Sequence, residues 1–370
     1  MGPSKVGGDR TITFRARERQ YRWAPRWVGD TCEVKRWRGM TDDLIEQARA
    51  GDSDAFRMLT EPHRRELEVH CYRMLGSVQD AEDMVQNTLL AAWRALDGFE
   101  ERASVRTWLY RIATNQCLSA LRSGRRKRAA TEVGIAENDL PEPTHYGDIV
   151  WLEPMPDHLL DFADTSALGP EAVYEQREAI SLASITALQL LPARQRAVLL
   201  LRDVLGYRAA EVSEMLGTTV ASVNSALKRA RGTVGRRSRD IEPPQPNSSS
   251  EQALVADFVR AYQTGDVEAL VRLLTTDVRI SMPPIPLEYH GRDAVAGFYA
   301  KVFGKRRYTL VATRANGQPA FGAYLATGVD PVWHAAGLLV LDLAGPRICG
   351  LTRFDNDVMP RFGLPRTLSV

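Results

Sequence analysis

Cysteine is scarce. The 370-residue chain has four, Cys32, Cys71, Cys117 and Cys349, far apart and without a paired metal-ligand spacing. That excludes a disulfide framework and a paired-cysteine zinc site, and scattered thiols fit a reducing cytoplasm. No apolar run approaches the ~18 residues of a membrane-spanning helix. The N-terminus carries charge but no apolar core segment, which excludes a secretory signal. No motif calls for a cofactor or metal, and none is expected. One sign of charge is also missing from whole stretches. Residues 129–176 hold eleven acidic side chains and no Lys or Arg, and Ser222–Arg239 holds six basic ones and no acid. The net charge of +2 hides this segregation. It points to a polyanionic partner and to a separate acidic segment. The length suits two or three domains.

From Leu190 to Arg239 the chain reads as helix, turn, helix and basic tail. Pro192 suits a helix start. Ala197, Leu200, Leu201 and Val204 recur at the spacing of one buried helical face, and Gly206 stops that helix. Val212, Met215 and Leu216 point inward from a short second helix, which Gly217 ends. Thr218 and Thr219 can cap a third helix. That helix buries Val220, Val223, Leu227 and Ala230 and shows Ser222, Asn224, Ser225, Lys228, Arg229 and Arg231. A helix-turn-helix places such a face in the DNA major groove, amides and hydroxyls at base edges and cations at phosphates.

Residues 42–122 are helical throughout, with Pro62 allowing a bend or break. Ala81, Met84, Val85, Thr88, Leu89, Ala92, Trp93 and Leu96 form one apolar stripe. Asp80, Asp83, Gln86, Asn87, Leu90 and Arg94 lie opposite, and Leu90 is apolar on a polar face. After a loop, Ser104 caps a helix whose core face is Val105, Trp108, Leu109, Ile112, Cys117, Leu118 and Leu121. Arg106, Tyr110, Arg111, Thr114, Asn115 and Arg122 are expected outward. Cations, amides and a ring are what distorted or single-stranded DNA needs.

The stretches Asp80–Gln86, Ala92-Trp93 and Arg106–Asn115 resemble region 2 of a bacterial sigma factor. Leu191-Pro192, Val212–Gly217 and Val223–Arg231 resemble region 4, and the order and spacing are similar to the extracytoplasmic-function type. The resemblance implies that core RNA polymerase is held by Asp83, Gln86, Asn87 and Leu90. It implies that the Phe99–Ser104 loop and the following helix, with Arg106, Tyr110, Arg111 and Asn115, melt and read the −10 element; Arg122, Arg125 and Arg126 of the basic run are expected to bind DNA as well. Ser222, Asn224, Ser225, Lys228, Arg229 and Arg231 would read the −35 element. Many relatives are acidic where Asn87 stands, and basic where Asn224 and Ala226 stand, so the −35 sequence is left open.

The expected organisation is a basic extension over 1–39, disordered or untranslated; region 2 over 40–124; an acidic linker over 125–176; region 4 over 177–240; and a Pro/Ser-rich linker over 241–250. By resemblance the acidic linker threads the polymerase's RNA path. Residues 251–354 read as helices and then strands, an α+β layout that resembles the cone-shaped SnoaL-like cyclases and nuclear transport factor 2, with a tail over 355–370. The fold class is thus two all-α units followed by an α+β cone. Glu288, His290, Asp330 and His334 are the acid–base candidates there, with Trp333 at a pocket, and a regulatory module without catalysis is preferred. The whole reads as a cytoplasmic sigma factor that performs no chemistry, with promoter DNA and core polymerase as partners and a C-terminal domain acting in cis. A small-molecule ligand in the cone and an anti-sigma factor stay open. The rivals are a stand-alone helix-turn-helix regulator, which leaves residues 80–122 without a purpose, and an enzyme with a DNA-binding appendage.

Overall fold

A computed structural model describes residues 41–100, 103–123, 140–147, 152–160, 180–234, 242–304, 306–326 and 332–369. The extension 1–39, Arg125, Arg126 and Asp330 lie outside them.

The first unit is a bundle of α1 (residues 41–49), α2 (Ser53–Leu75), α3 (Val78–Ala95) and α4 (Val105–Arg122). Each long helix starts on a side-chain cap. Asp52 accepts from the N–H groups of Asp54 and Ala55, Ser77 from Asp80, and Ser104 from Thr107. Helix α2 ends on Gly76, in the left-handed region at φ 74°. It runs unbroken through Pro62, which is exposed. Water can take the carbonyl that its ring leaves unpaired, so the helix is not broken there. The apolar stripe of α3 is buried at Ala81, Met84, Val85, Thr88 and Ala92. Trp93, expected in the core, is partly exposed, its ring edge-on to Phe56 at 5.0 Å.

The second unit holds α5 (Leu182–Gln189), α6 (Ala193–Leu199), α7 (Ala209–Met215) and α8 (Val220–Val234). A π-helical turn, Leu200–Val204, extends α6. Gly206 and Gly217 make the two reversals at φ 74° and 57°.

The C-terminal unit packs α9 (Ser249–Thr264), α10 (Val267–Arg272) and α11 (Arg292–Phe303) against one face of an eight-stranded sheet. Its strands are β1 (His145–Tyr146), β2 (Leu274–Met282), β3 (Ile285–His290), β4 (Arg307–Ala315), β5 (Gln318–Ala326), β6 (Val332–Ala344), β7 (Arg347–Phe354) and β8 (Thr367–Ser369). The order is β1-β3-β2-β7-β6-β5-β4, with β8 beside the start of β6. Among the described residues, only β2–β7 is a parallel pair.

Strand alternation decides what each face touches. Phe321, Ala323, Leu339 and Leu341 meet the helices, where Phe258, Tyr262, Tyr299, Phe303 and Tyr308 fill the cone with ring contacts. Ala320, Tyr324, Leu338 and Val340 look the other way and share one core with both helical units. The tail lies on this second face. Met359 and Leu364 seat over Gly322, where an added Cβ would come within 2.8 Å of Leu364 Cδ1.

The acidic segment is not a bare linker where it is described. His145 and Tyr146 pair with β3, and Leu152, Met155 and Leu160 are buried. It cannot bury enough by itself, so it borrows a sheet edge and the bundle as surfaces.

Candidate nucleic-acid interface

Helix α8 presents its face as the sequence predicts. Ser222, Asn224, Ser225, Lys228, Arg229 and Arg231 are exposed, while Val223, Leu227 and Ala230 are buried, joined by Ala226. Val220 corrects the expectation: it is 43% exposed, because it is the first residue of α8 and no preceding turn of the helix covers it. The Thr219 hydroxyl accepts from the Ser222 N–H at 3.2 Å. Arg229 donates to the Ser225 hydroxyl at 3.0 Å. Arg231 donates two hydrogen bonds to the Asp203 carboxylate, at 2.8 and 2.7 Å. That contact holds its guanidinium pKa above the usual arginine range and neutralises the acid behind the face.

On α3, Asp83, Gln86 and Leu90 are exposed and Asn87 is half-buried. Leu90 is 54% exposed. The neighbouring Glu82 accepts from Arg361 of the tail at 3.2 Å.

Helix α4 differs most from expectation. Arg111 and Arg122 are exposed, but Tyr110 and Thr114 are buried. The reason is a second neighbour: α4 has the bundle behind it and α6 in front, with the end of α7 at its rim. The Tyr110 ring meets His70 at 5.1 Å and Tyr207 at 6.1 Å. Asn115, at the rim, donates to the Met215 carbonyl at 3.3 Å. Arg106 is half-buried, ion-paired with Glu66 at 2.7 Å and stacked 4.8 Å from the Tyr110 centroid. Burial pushes the Glu66 carboxyl up, but hydrogen bonds from His63 and Arg106 outweigh it and hold the pKa below the carboxylate range. Burial raises the Tyr110 phenol well above its ordinary value.

Behind Tyr110 lies a histidine that sequence reading missed. The Thr114 hydroxyl gives its one proton to the Tyr110 carbonyl at 2.7 Å, so His70 Nε2 carries the hydrogen and donates to Thr114 at 2.9 Å. Burial, with Arg73 and Arg106 nearby, pushes the His70 pKa down to about 3. Also missed was Arg196. Its side chain is buried on α6 and donates to the carbonyls of Met74 on α2, Gln189 and Leu191. Only the tertiary arrangement gives these residues roles.

Among the described residues, the acid–base candidates Glu288, His290 and His334 do not converge in the cone. Glu288 accepts from His290 at 2.6 Å, and His290 stacks on His145 at 4.0 Å. Both flank the inward Tyr289 on β3 and so face away from the helices. His334 is exposed on β6. Among the described residues, no helix is long and apolar enough to cross a membrane.

Three family models match in order: Sigma-70 region 2 over residues 59–127, Sigma-70 region 4 over 176–234 and a SnoaL-like domain over 255–351. The chain is 42% identical over 327 residues, 86% of each protein, to ECF RNA polymerase sigma factor SigG of Mycobacterium tuberculosis. It is 30% identical over 315 residues to the SigJ factor of the same species, covering 80% of this chain and 88% of that one. The crystal structure of the extracytoplasmic-function factor SigJ of M. tuberculosis shares the fold, with a TM-score of 0.54 at 23% identity, over 85% of this chain and all of the other. Both sigma-70 regions are present in order, and the similarity to a curated relative runs through most of both chains; the protein belongs to the ECF RNA polymerase sigma factors.

Proposed function

We propose that the chain binds core RNA polymerase through Asp83, Gln86, Asn87 and Leu90 of α3 and directs it to promoters. In this reading α8 reads the −35 element with Ser222, Asn224 and Ser225 at bases and Lys228, Arg229 and Arg231 at phosphates. Arg111, Asn115 and Arg122, with the basic run holding Arg125 and Arg126, serve the −10 element, while the buried Tyr110 and the Glu66-paired Arg106 hold α4 in place behind them. The chain performs no chemistry of its own. An aromatic-filled cone supports a regulatory module over an enzyme.

The observation that carries the reading is the open polar and basic face of α8 at the end of a helix-turn-helix. A second observation concerns state. Elements at −10 and −35 lie about 25 base pairs apart, ~85 Å of duplex at ~3.4 Å per pair. Yet Asn115 on α4 and Met215 on α7 share a hydrogen bond. The two surfaces cannot touch each other and both elements at once. The packed arrangement is therefore a closed form, and the C-terminal module, which contacts both helical units, regulates its opening in cis.

Run-off transcription with purified core polymerase on a library of genomic promoters tests the function. Discrete transcripts that require the added protein are expected. Binding to DNA without polymerase-dependent transcripts would favour the stand-alone regulator.

A further inference from the structure

The β4–β5 hairpin turns on Asn316-Gly317, both at positive φ, 56° and 74°. Asn-Gly is the pair that a two-residue type I′ turn favours. Such a tip ordinarily faces water; Asn316 is 0% exposed. Its backbone N–H donates to the Met155 carbonyl at 2.8 Å, and its side-chain carbonyl accepts from the Met155 N–H at 2.8 Å. Its amide donates to the Tyr72 hydroxyl at 2.9 Å and to the Ile180 carbonyl at 2.8 Å. One residue of the C-terminal module thus joins α2, the acidic segment and the chain just ahead of α5.

The contacts continue outward. Tyr72 passes its own proton to the Glu153 carbonyl at 2.8 Å. The Glu153 carboxylate accepts from the Ser77 hydroxyl and the Val78 N–H at the start of α3. Next to Asn316, the Gly317 N–H donates to Asp157 at 2.7 Å. Arg314 ties Asp157 to the buried Glu251 of α9. The last turn of α2, beside Tyr72, is also where the helix-turn-helix is clamped: Gln189 donates to the Arg73 carbonyl at 3.3 Å and Arg196 to that of Met74.

We infer that Asn316 is the latch of the closed form, a positioning residue that governs access to the promoter-reading helices. The inference rests on the cis-regulatory reading above. Its partners belong to three segments, and removing the amide strands buried donors and acceptors in all three together. No other side chain replaces it. Aspartate matches its shape but lacks the two donors, serine is too short to span Tyr72 and Ile180, and larger residues resist positive φ.

The test uses the full chain with dyes at exposed Glu61 on α2 and Glu214 on α7, and compares wild type, Asn316→Asp and Tyr72→Phe. Asn316→Asp is expected to lower energy transfer at least twofold and to raise affinity for a promoter duplex several-fold, with Tyr72→Phe shifting both in the same direction by less. If Asn316→Asp unfolds the module, Tyr72→Phe, which leaves the module's sequence intact, decides by the same two readouts. Unchanged transfer and affinity overturn the latch. A chain ending at residue 241 separates the two ideas. If truncation changes transcription while the point variants stay closed, the latch fails and cis-regulation stands. If the variants open the chain but truncation leaves output unchanged, cis-regulation fails and the latch remains a contact without that role.

Discussion

At the scale of single residues, helical periodicity sets six polar and basic side chains on the outward face of α8. Asn224 and Arg229 are both exposed on α8, yet they are expected to act differently. Asn224→Ala should relax selectivity at one −35 position, at ~1–3 kcal/mol for a bidentate base contact. Arg229→Ala should weaken binding on all sequences and flatten its salt dependence. Binding titrations on matched and mismatched duplexes at several salt concentrations check both, and equal loss on every duplex for Asn224→Ala would remove it from the base-reading set.

His70 gives a pH prediction with a definite sign. The folded chain holds it neutral down to about 3, whereas its ordinary value is 6.5. The unfolded state therefore binds a proton first as pH falls. Stability is full above ~6.5 and declines between ~6.5 and ~3, by on the order of 5 kcal/mol in total. Denaturant melts at successive pH values should show the decline, and His70→Gln should lessen it. Tyr110 and Thr114 were misplaced for a related reason. Periodicity gives the faces of a helix, but α4 is covered on more than one, and nothing in its sequence announces the second partner.

At the scale of elements, the helices and five of the strands were readable; β3 was not, since Pro283-Pro284 just ahead of it reads as a stop, and neither were β1 and β8. Strands β1 and β8 are two and three residues long and exist only because a neighbouring edge was open. The acidic segment looked incapable of order because its stabilising surface is elsewhere in the chain. Helix α3 shows the reverse case, where one exposed leucine on an otherwise polar face was visible from spacing alone. Changing Gln86 and Leu90 together to Glu should cut core-polymerase binding at least tenfold. The melting temperature should move little, since both side chains are exposed. Pull-down with core polymerase measures this, and normal retention would show that α3 is not the contact.

At the scale of the whole molecule, three sequence units share one buried core. The bundle, the helix-turn-helix and the outer face of the sheet all contribute to it. This sharing was not legible. Each unit reads as self-sufficient in sequence, and the joints are made by residues such as Arg196 and Asn316 whose types are ordinary on surfaces. The hairpin signature Asn316-Gly317 was present, but only its burial gives it weight. Removing residues 250–370 is expected to change promoter output several-fold while α2, α3 and α4 keep their helical content, measured by reporter assay and circular dichroism.

The most direct measurement is energy transfer between dyes on α2 and α7 as core polymerase and then promoter DNA are added. High transfer in the free protein is expected, from the contact between α4 and α7. In the promoter complex it should collapse, since reading sites ~85 Å apart forbids that contact. Transfer that stays high while the complex produces transcript would contradict the account.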